Sequence, residues 1–211
     1  MVRAKQPTQV GMIASPVAIP SVDSWDIGAV QGEGLVRSYP ISCGGMDLVL
    51  SIPGCLAPFD ASALNGAPRK TLTLRVPKEW DDPLGDMEGA LLCMVCAKSE
   101  LFFQDSLLKE QVMDRYKPIT KKMGKYPRNL RTKLNADQTW NAVRYWNAER
   151  TRIDAPTHHA GMATNAVVRL RAIWVSADAW GLVCDASDLQ VLEAPVAECP
   201  FAAAGWEVSI A

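Results

Sequence analysis

The segment YKPITKKMGKYPRNLRTKL (residues 116–134) combines the alternation of a β-strand with a run of positive charge. Near its end, Arg131 and Lys133 alternate with Leu130 and Thr132. Successive side chains of a strand point to opposite faces of the sheet. The pattern therefore predicts a strand with one cationic face toward solvent and one apolar face toward a core.

Segments on the N-terminal side of this stretch predict two more strands and a helix. The strand candidates are MDLVLSIPGC (residues 46–55) and RKTLTLRVP (residues 69–77), and the second places Leu72 and Leu74 on one face. The segment DDPLGDMEGALLCMVCAKSELFFQDSLLKEQV (residues 81–112) carries apolar residues at helical spacing. It begins with two acids and a proline, which suits a helix start.

Segments on the C-terminal side predict further strands. These are NAVRYWNAERTRI (residues 141–153) and AVVRLRAIWVSADAWGLVCDASDLQVLE (residues 166–193). The second splits around SAD, and Gly181 is expected at a turn or a bulge. Strands, one inserted helix and more strands predict a mainly β fold with an inserted helix (α+β), arranged as an antiparallel barrel or a curled sheet.

The chain has 211 residues, of which 48% are hydrophobic, and this is enough for one domain with its own core. Residues 1–34 lack periodicity and end in a Gly-rich stretch, which predicts a partly disordered N-terminal extension. The apolar run GMIASPVAIP (residues 11–20) is interrupted by Pro16 and suits neither a membrane span nor a signal peptide. We therefore expect an intracellular protein that does not enter a membrane.

The positive charge is concentrated in one region of the chain. Residues 115–152 hold eleven Lys or Arg and two acids, a net charge of +9. The whole chain has a net charge of -1, so the remainder carries -10. This asymmetry favours a face that binds a polyanion. The alternative is a solvated face that serves only solubility.

Aromatic residues are interleaved with these bases. Tyr126, Trp140, Tyr145 and Trp146 lie among the Lys and Arg residues. The combination suits single-stranded nucleic acid, because phosphates need cations and unstacked bases need a flat ring. Since Tyr145 and Trp146 are adjacent, a strand would turn one of them into the core.

Two tryptophans of the last predicted strands are interpreted separately. Trp174 is predicted to be a core residue, because strict alternation places it on the face of Val168, Leu170 and Ala172. Trp180 is left open between core and surface. Neither is counted among the stacking candidates.

The sequence contains no motif that predicts catalysis. It lacks a G-x-x-x-x-G-K-[ST] loop, a G-x-S-x-G elbow and an H-E-x-x-H zinc motif. Cys93 and Cys96 form a lone C-x2-C, interpreted as small residues on or near a buried helix face, with a zinc site as the alternative. His158 and His159 are interpreted as surface loop residues. We expect a binding protein without cofactor or metal, and no enzyme.

Four segments in order resemble the single-stranded-DNA-binding proteins of large DNA viruses of algae and related viruses. They are CLAPFD followed by RKTLTLRV, the inserted helix with KSELFF, YKPITKKMGKYPRNLRTKL, and RAIWVSADAWGLVCDASDLQVLE. The resemblance implies an OB-like antiparallel barrel over residues 35–193, between the N-terminal extension (residues 1–34) and a C-terminal tail (residues 194–211). The closing strand departs from the family because it carries acids where Lys is more usual.

The resemblance implies sequence-tolerant binding of single-stranded DNA in viral DNA replication, recombination or repair, at the site of viral DNA replication in the host cell. An OB barrel presents a sheet face along which a nucleic-acid backbone runs. Arg169 and Arg171 are two residues apart and share a strand face. The predicted nucleic-acid-binding residues are Lys121, Lys122, Lys125, Tyr126, Arg128, Arg131, Lys133, Trp140, Arg144, Tyr145, Arg150, Arg152, Arg169 and Arg171, with Trp146 as a further stacking candidate.

Two other functions fit the same charge pattern. One is a virion structural or assembly protein whose basic face neutralises a packaged genome or an acidic partner, and the other is an RNA-binding OB protein. The tail segment CPFAAAGWEVSIA (residues 199–211) is apolar, with Glu207 as its only charged side chain. We expect this tail to pack against the chain itself, a second copy or a replication protein.

Overall fold

The computed structural model describes residues 12–14, 19–32, 34–63, 69–135 and 142–193. The first strands are β1 (Met12–Ala14), β2 (Trp25–Ile27), β3 (Arg37–Cys43), β4 (Leu48–Leu56), β5 (Ser62–Ala63) and β6 (Lys70–Arg75). The helices are α1 (Asp81–Ala97), α2 (Ser99–Phe103) and α3 (Lys109–Asp114). The later strands are β7 (Tyr116–Lys117), β8 (Thr120–Met123), β9 (Tyr126–Leu134), β10 (Arg144–Trp146), β11 (Arg152–Ile153), β12 (Ala163–Val175) and β13 (Trp180–Glu193).

Five of these strands close into a ring, in the order β4, β6, β9, β13, β12 and back to β4. The β4–β6 contact is the single antiparallel pair Leu56 and Arg75, and the β9–β13 contact is the single parallel pair Lys133 and Asp185. The ring is therefore partly open at two places, as in the five-stranded OB barrel. This confirms the predicted fold class, a mainly β protein with an inserted helix and an OB-like barrel.

Alternating side chains fill the barrel. Leu72 and Leu74 of β6 and Leu130 and Thr132 of β9 are fully buried, as the strand patterns predicted. Each fully buried leucine contributes about 1.5–3 kcal/mol relative to its exposed state. The alternate residues of both strands point outward, so the apolar pattern that builds the core also fixes which side chains face solvent.

The helical segment lies between the second and third strands of the ring. The predicted single helix over residues 81–112 is interrupted after Ala97, and Gln104 adopts a left-handed backbone conformation with φ of 59°. Leu84 and Leu91 of α1 are fully buried against the barrel. Among the described residues, no helix has the length and apolar character that crossing a membrane requires.

Regular structure begins within residues 1–34, the segment predicted to be a partly disordered extension. β1 pairs in parallel with β4, and β2 pairs with β3. Val22 and Trp25 are buried in the core. The division of the chain into an extension, a barrel and a tail stays a prediction, and residues 194–211 lie outside the described ranges.

A β-bulge in β12 reverses the predicted orientation of Trp174. Leu170 pairs with Cys184 but Ala172 pairs with Val183, so Arg171 is an extra residue on β12. The bulge turns Ile173 into the core, and Trp174 faces outward on the barrel. The prediction that Trp174 is a core residue is therefore wrong.

Gly181 and Trp180 begin β13, directly after the turn formed by residues 176–179. Gly181 pairs with Trp174 of β12 and with Lys117 of β7, so it lies inside the sheet and not in a turn. The Trp180 ring is fully buried, and its Nε1 donates a hydrogen bond of 2.7 Å to the carbonyl oxygen of Val112. The question left open for Trp180 is thus resolved in favour of the core.

Candidate nucleic-acid interface

The outward face of β6 and β9 brings together polar and cationic side chains. The paired residues across these strands are Thr71 with Lys133, Thr73 with Arg131, and Arg75 with Asn129. These are the second and third strands of the ring. In OB folds this face and its flanking loops bind oligonucleotides.

Two adjoining pockets cover this face. The first, of about 340 Å³, is lined by Thr71, Lys133 and Trp174 among others. The second, of about 540 Å³, includes Phe59 and Thr73 in its wall. Both pockets are lined by Lys117, Ile119 and Arg131. We call the combined surface the β6–β9 groove.

Three aromatic rings lie along or beside the groove. The side chains of Phe59 and Tyr126 are 59% and 50% exposed, and Trp174 is partly buried. The guanidinium carbon of Arg75 lies 4.8 Å from the centre of the Tyr126 ring, a cation–π contact. These rings offer flat surfaces on which unstacked bases can lie.

A carboxylate fixes the loop that carries Phe59. Asp60 accepts backbone hydrogen bonds from His159 at 2.5 Å and Ala160 at 3.0 Å. The hydrogen bonds from Ala160 and His159 lower the pKa of the Asp60 carboxyl group. The loop is therefore anchored to the segment before β12, next to the exposed ring of Phe59.

Five of the predicted binding residues lie in or beside the groove. Lys121 and Arg131 line it, and Lys133 lines its first pocket. The Lys125 ammonium lies 5.9 Å from the centre of the Tyr126 ring. Burial lowers the pKa of Lys133, and neighbouring Asp185 opposes this shift.

Two predicted binding residues, Lys122 and Arg128, are instead bound to Asp81 at the start of α1. The Lys122 ammonium lies 2.7 Å from the Asp81 carboxylate, and the Arg128 Nε donates to the Asp81 carbonyl oxygen at 2.8 Å. The hydrogen bond from Lys122 lowers the pKa of Asp81. These contacts join β8 and β9 to the helix, so both cations have a structural role.

Arg169 and Arg171 share the outward face of β12, as predicted, but both are paired with acids. Arg169 forms an ion pair with Asp47, and Arg171 lies 2.8 Å from Asp185. Asp185 on the closing strand and Asp47 directly before β4 thus neutralise part of the positive charge. These two arginines are less available to phosphate than Arg131.

A second surface is formed around β10 and β11. Arg144 lies 2.8 Å from Asp188, and the Trp146 Nε1 donates to the same carboxylate at 2.8 Å. Arg150, with a left-handed φ of 63°, lines a pocket of about 470 Å³ together with Trp146. Arg152 is exposed on β11. We call this the β10 surface.

Of the two remaining aromatic candidates, Tyr145 is buried and Trp140 falls outside the described ranges. Tyr145 is 4% exposed, and its hydroxyl lies 3.0 Å from the His159 Nε2, so it is a core residue and cannot stack on a base. His159 itself is 5% exposed, which corrects the expectation of a surface histidine. Trp140 lies outside the described residues.

The sequence patterns missed four groove residues, Phe59, Arg75, Lys117 and Trp174. Arg75 was detectable, because it follows Thr71 and Thr73 on the polar face of a predicted strand. Phe59 was part of the quoted CLAPFD motif but received no role. Trp174 was assigned to the wrong face by assuming unbroken alternation.

The site shows no arrangement that holds a metal. Among the described residues, no cluster of three or more His, Cys, Asp or Glu is placed to bind a metal ion. Cys93 is exposed on α1 and Cys96 is partly buried, and both are free thiols. The groove thus presents cationic side chains and exposed aromatic rings together.

Comparisons with known proteins find similarity to solved structures of phage proteins. The chain is similar to gp2.5, a single-stranded DNA-binding protein encoded by bacteriophage T7, at 13% sequence identity. The match covers 78% of this chain and 98% of gp2.5, with a TM-score of 0.48. It is also similar to the single-stranded DNA-binding protein from bacteriophage Enc34 in complex with ssDNA, at 11% sequence identity. That match covers 79% of this chain and 95% of the phage chain, with a TM-score of 0.43.

No protein-family model and no curated protein sequence matches the chain. The structural similarities therefore do not establish membership of a family, and at these identities and TM-scores they do not assign a function. They give no support to an origin in viruses of algae, because the structures described above come from bacteriophages.

Proposed function

We propose that the chain binds single-stranded DNA along the β6–β9 groove and that it does so as a binding protein without chemistry. One observation carries the proposal. Lys121 and Arg131 line the groove and Lys125 lies next to Tyr126, and none of the three has an acid partner among the described residues. The exposed rings of Phe59 and Tyr126 lie beside them.

The geometry favours single strands over a duplex. A ring can stack only on a base whose face is free, and this requires an unpaired strand. β9 has nine residues and is therefore about 30 Å long. That length accommodates a short strand, within the range of about 4–16 nucleotides that one OB fold engages.

The same geometry favours binding that is tolerant of sequence over most of the groove. Stacking on an aromatic ring accepts any base, and a cation contacts a phosphate whatever base follows. We infer that the protein acts inside the cell, where single strands arise in DNA replication, recombination or repair. A role in the replication of a viral genome belongs to the same proposal.

The test is a titration with dT oligomers of increasing length, monitored by tryptophan fluorescence. Six cations line or flank the groove, Arg75, Lys117, Lys121, Lys125, Arg131 and Lys133. If each neutralises one phosphate, the slope of log K against log salt should be about -4, since each contact contributes about 0.7 on single strands. A slope near zero would contradict the binding of DNA phosphates by the cations of the groove.

Matched RNA and assembly measurements decide between the alternatives. RNA that binds more tightly than DNA of the same sequence, with uracil in both strands, would favour an RNA-binding protein, because the two then differ only in the 2′-hydroxyl. Stable assembly without binding to any oligonucleotide would favour a structural protein of a virion.

The C-terminal tail (residues 194–211) is proposed to contact a second copy or a replication protein through its apolar side chains. Removing the residues after Glu193 should then change the oligomeric state or the solubility. Affinity for single-stranded DNA should stay within about threefold, roughly 0.65 kcal/mol. A truncation that abolishes DNA binding but leaves fold and sedimentation unchanged would contradict this role.

A further inference from the structure

Two directly paired residues on the outward face, Arg75 of β6 and Asn129 of β9, each hold a buried polar atom without a partner. The Arg75 Nε and the Asn129 Oδ1 find no hydrogen-bond partner among the described residues. Asn129 is only 6% exposed. Native proteins satisfy nearly all buried polar side-chain atoms, so an unused donor and an unused acceptor in one groove call for an explanation.

The orientation of the Asn129 amide is set by a neighbour. Its Nδ2 lies 3.2 Å from the sulfur of Met123, which can accept a hydrogen bond. The Oδ1 is therefore the atom left for another donor. Lys121, the pairing partner of Asn129 on β8, donates no hydrogen bond to this oxygen and is itself exposed.

The surroundings of this pair have the character of a base pocket. Asn129, Phe59 and Met123 line the same pocket of about 540 Å³. The Arg75 guanidinium lies over the Tyr126 ring, 4.8 Å from its centre. Met123 covers the amide but is 45% exposed and carries a flexible thioether side chain, so an entering base can displace it.

We propose that Arg75 and Asn129 form a base-reading subsite in the groove, specific for bases with an exocyclic amino group beside a ring acceptor. Among the pyrimidines this base is cytosine. Its amino group donates to the Asn129 Oδ1, and its ring nitrogen or carbonyl accepts from the Arg75 Nε. The subsite rests on the proposed function, and it adds a preference at one position of an otherwise tolerant groove.

Uracil and thymine do not satisfy the same pair of atoms. They carry a carbonyl oxygen where cytosine has its amino group, so this oxygen would face the Asn129 Oδ1, and two acceptors would oppose each other. A site built to hydrogen-bond a ligand group discriminates against a ligand that lacks it, because the buried polar atoms of the site then stay unpaired.

The test compares three oligomers of equal length with the full chain, namely dC, dU and an oligomer in which 2-pyrimidinone replaces cytosine. Uracil avoids the extra methyl group of thymine, and 2-pyrimidinone removes only the amino group. We expect dC to bind about three- to tenfold more tightly than either of the others. The comparison alters the ligand alone, so it holds even if a variant of the protein fails to fold.

Variants then locate the preference. Asn129→Leu keeps the approximate shape of the side chain without its polar atoms, and it should bind dC and dU equally. Arg75→Lys keeps the charge but loses the Nε–H, and it should also reduce the ratio between dC and dU. Leu108→Ala, a change at an exposed residue outside both pockets, should keep the wild-type ratio of dC to dU affinity.

The outcomes separate this subsite from the proposed function. Equal and tight binding of dC, dU and the 2-pyrimidinone oligomer by the wild-type protein would overturn the subsite alone. The subsite would also be overturned if a folded Asn129→Leu variant kept the wild-type ratio of dC to dU affinity. Failure to bind any of the three oligomers would overturn the proposed function, and the subsite with it.

Discussion

The indole of Trp174 lies against Gly181 on the neighbouring strand, and the contact leaves no space for a methyl group. A Cβ at Gly181 would stand 3.1 Å from the Trp174 Nε1 and 2.7 Å from the carbonyl oxygen of Lys117. The two residues are direct pairing partners in the β12–β13 hairpin. The absence of a side chain at Gly181 thus allows β7 and Trp174 to close one end of the β6–β9 groove.

The Gly181→Ala variant should lose stability, because backbone and indole must both move to admit the methyl group. We expect a loss of about 1–3 kcal/mol, as for other overpacked sites, measured by urea unfolding. Gly89→Ala on α1 is the matched control, since no atom lies within 4 Å of its added Cβ. In that helix the change should stabilise by about 0.5–1 kcal/mol. Equal effects of the two changes would contradict the close contact.

The Arg131→Gln variant should weaken DNA binding and lower the salt slope by about 0.7, the contribution of one phosphate on a single strand. Arg128→Gln is the matched change on the same strand. Because the Arg128 Nε donates to the Asp81 carbonyl oxygen at 2.8 Å, this variant should lose stability and keep its salt slope. A slope that responds to Arg128 and not to Arg131 would show that the cations are assigned wrongly.

Replacing Phe59 by Ala should weaken binding by about 1–3 kcal/mol if a base stacks on this ring. The ring is 59% exposed, so its removal should leave the unfolding midpoint almost unchanged. Leu108→Ala serves as the control, since Leu108 is 68% exposed and does not line the groove. Affinity is measured by titration with dT oligomers. Identical affinities of the two variants would show that no base stacks on Phe59.

Replacing Trp146 by Ala tests whether the β10 surface takes part in binding. The Trp146 Nε1 and Arg144 share the Asp188 carboxylate, which offsets positive charge there. We therefore expect an affinity change of less than about threefold, below 0.7 kcal/mol. A tenfold loss without loss of stability would extend the DNA path from the groove onto this surface.

Acidification should destabilise the protein through His159. Burial lowers the pKa of this histidine, while Asp60 opposes the shift and Lys70 and His158 add to it. The folded state therefore disfavours the proton that the unfolded state binds near pH 6.5, and stability falls as the pH drops below that value. Urea midpoints at pH 7.5, 6.5 and 5.5 measure this fall.

Two variants complete the pH experiment. His159→Gln should show a weaker dependence of the midpoint over this range, because the titrating group is gone. Leu108→Ala, a change at an exposed residue that does not titrate, should keep the wild-type dependence. The contribution of Asp60 lies at lower pH, because its pKa is lowered from an ordinary value of 3.8. A flat wild-type profile would contradict the burial of His159.

The fold followed from the sequence wherever alternation was unbroken. In β6 and β9 the apolar side chains of Leu72 and Leu130 are buried, and Arg131 points outward, as the pattern predicts. The same rule failed in β12, where the extra residue Arg171 reverses the faces of Ile173 and Trp174. A bulge depends on the pairing with β13, and the pattern of a single strand does not contain that information.

The candidate site was predictable as a region but not residue by residue. Charge counting located the basic segment, yet it could not show that Lys122 and Arg128 are bound to Asp81, 41 and 47 residues away in the sequence. Arg75 and Phe59 lie outside the basic segment and reach the groove only through the closed barrel. Pairing between distant segments decides which cations remain available.

The order of the strands in the ring has a consequence for synthesis on the ribosome. β4 is the first strand of the ring along the chain and β13 the last, and β13 closes the ring by pairing with both β9 and β12. The barrel cannot close until residues near Asp185 have emerged, and at about 5–20 residues per second this takes on the order of ten seconds after β4 appears. During that interval the inner faces of β4, β6 and β9 are uncovered, and the nascent chain depends on early packing against α1, or on a chaperone, to avoid aggregation.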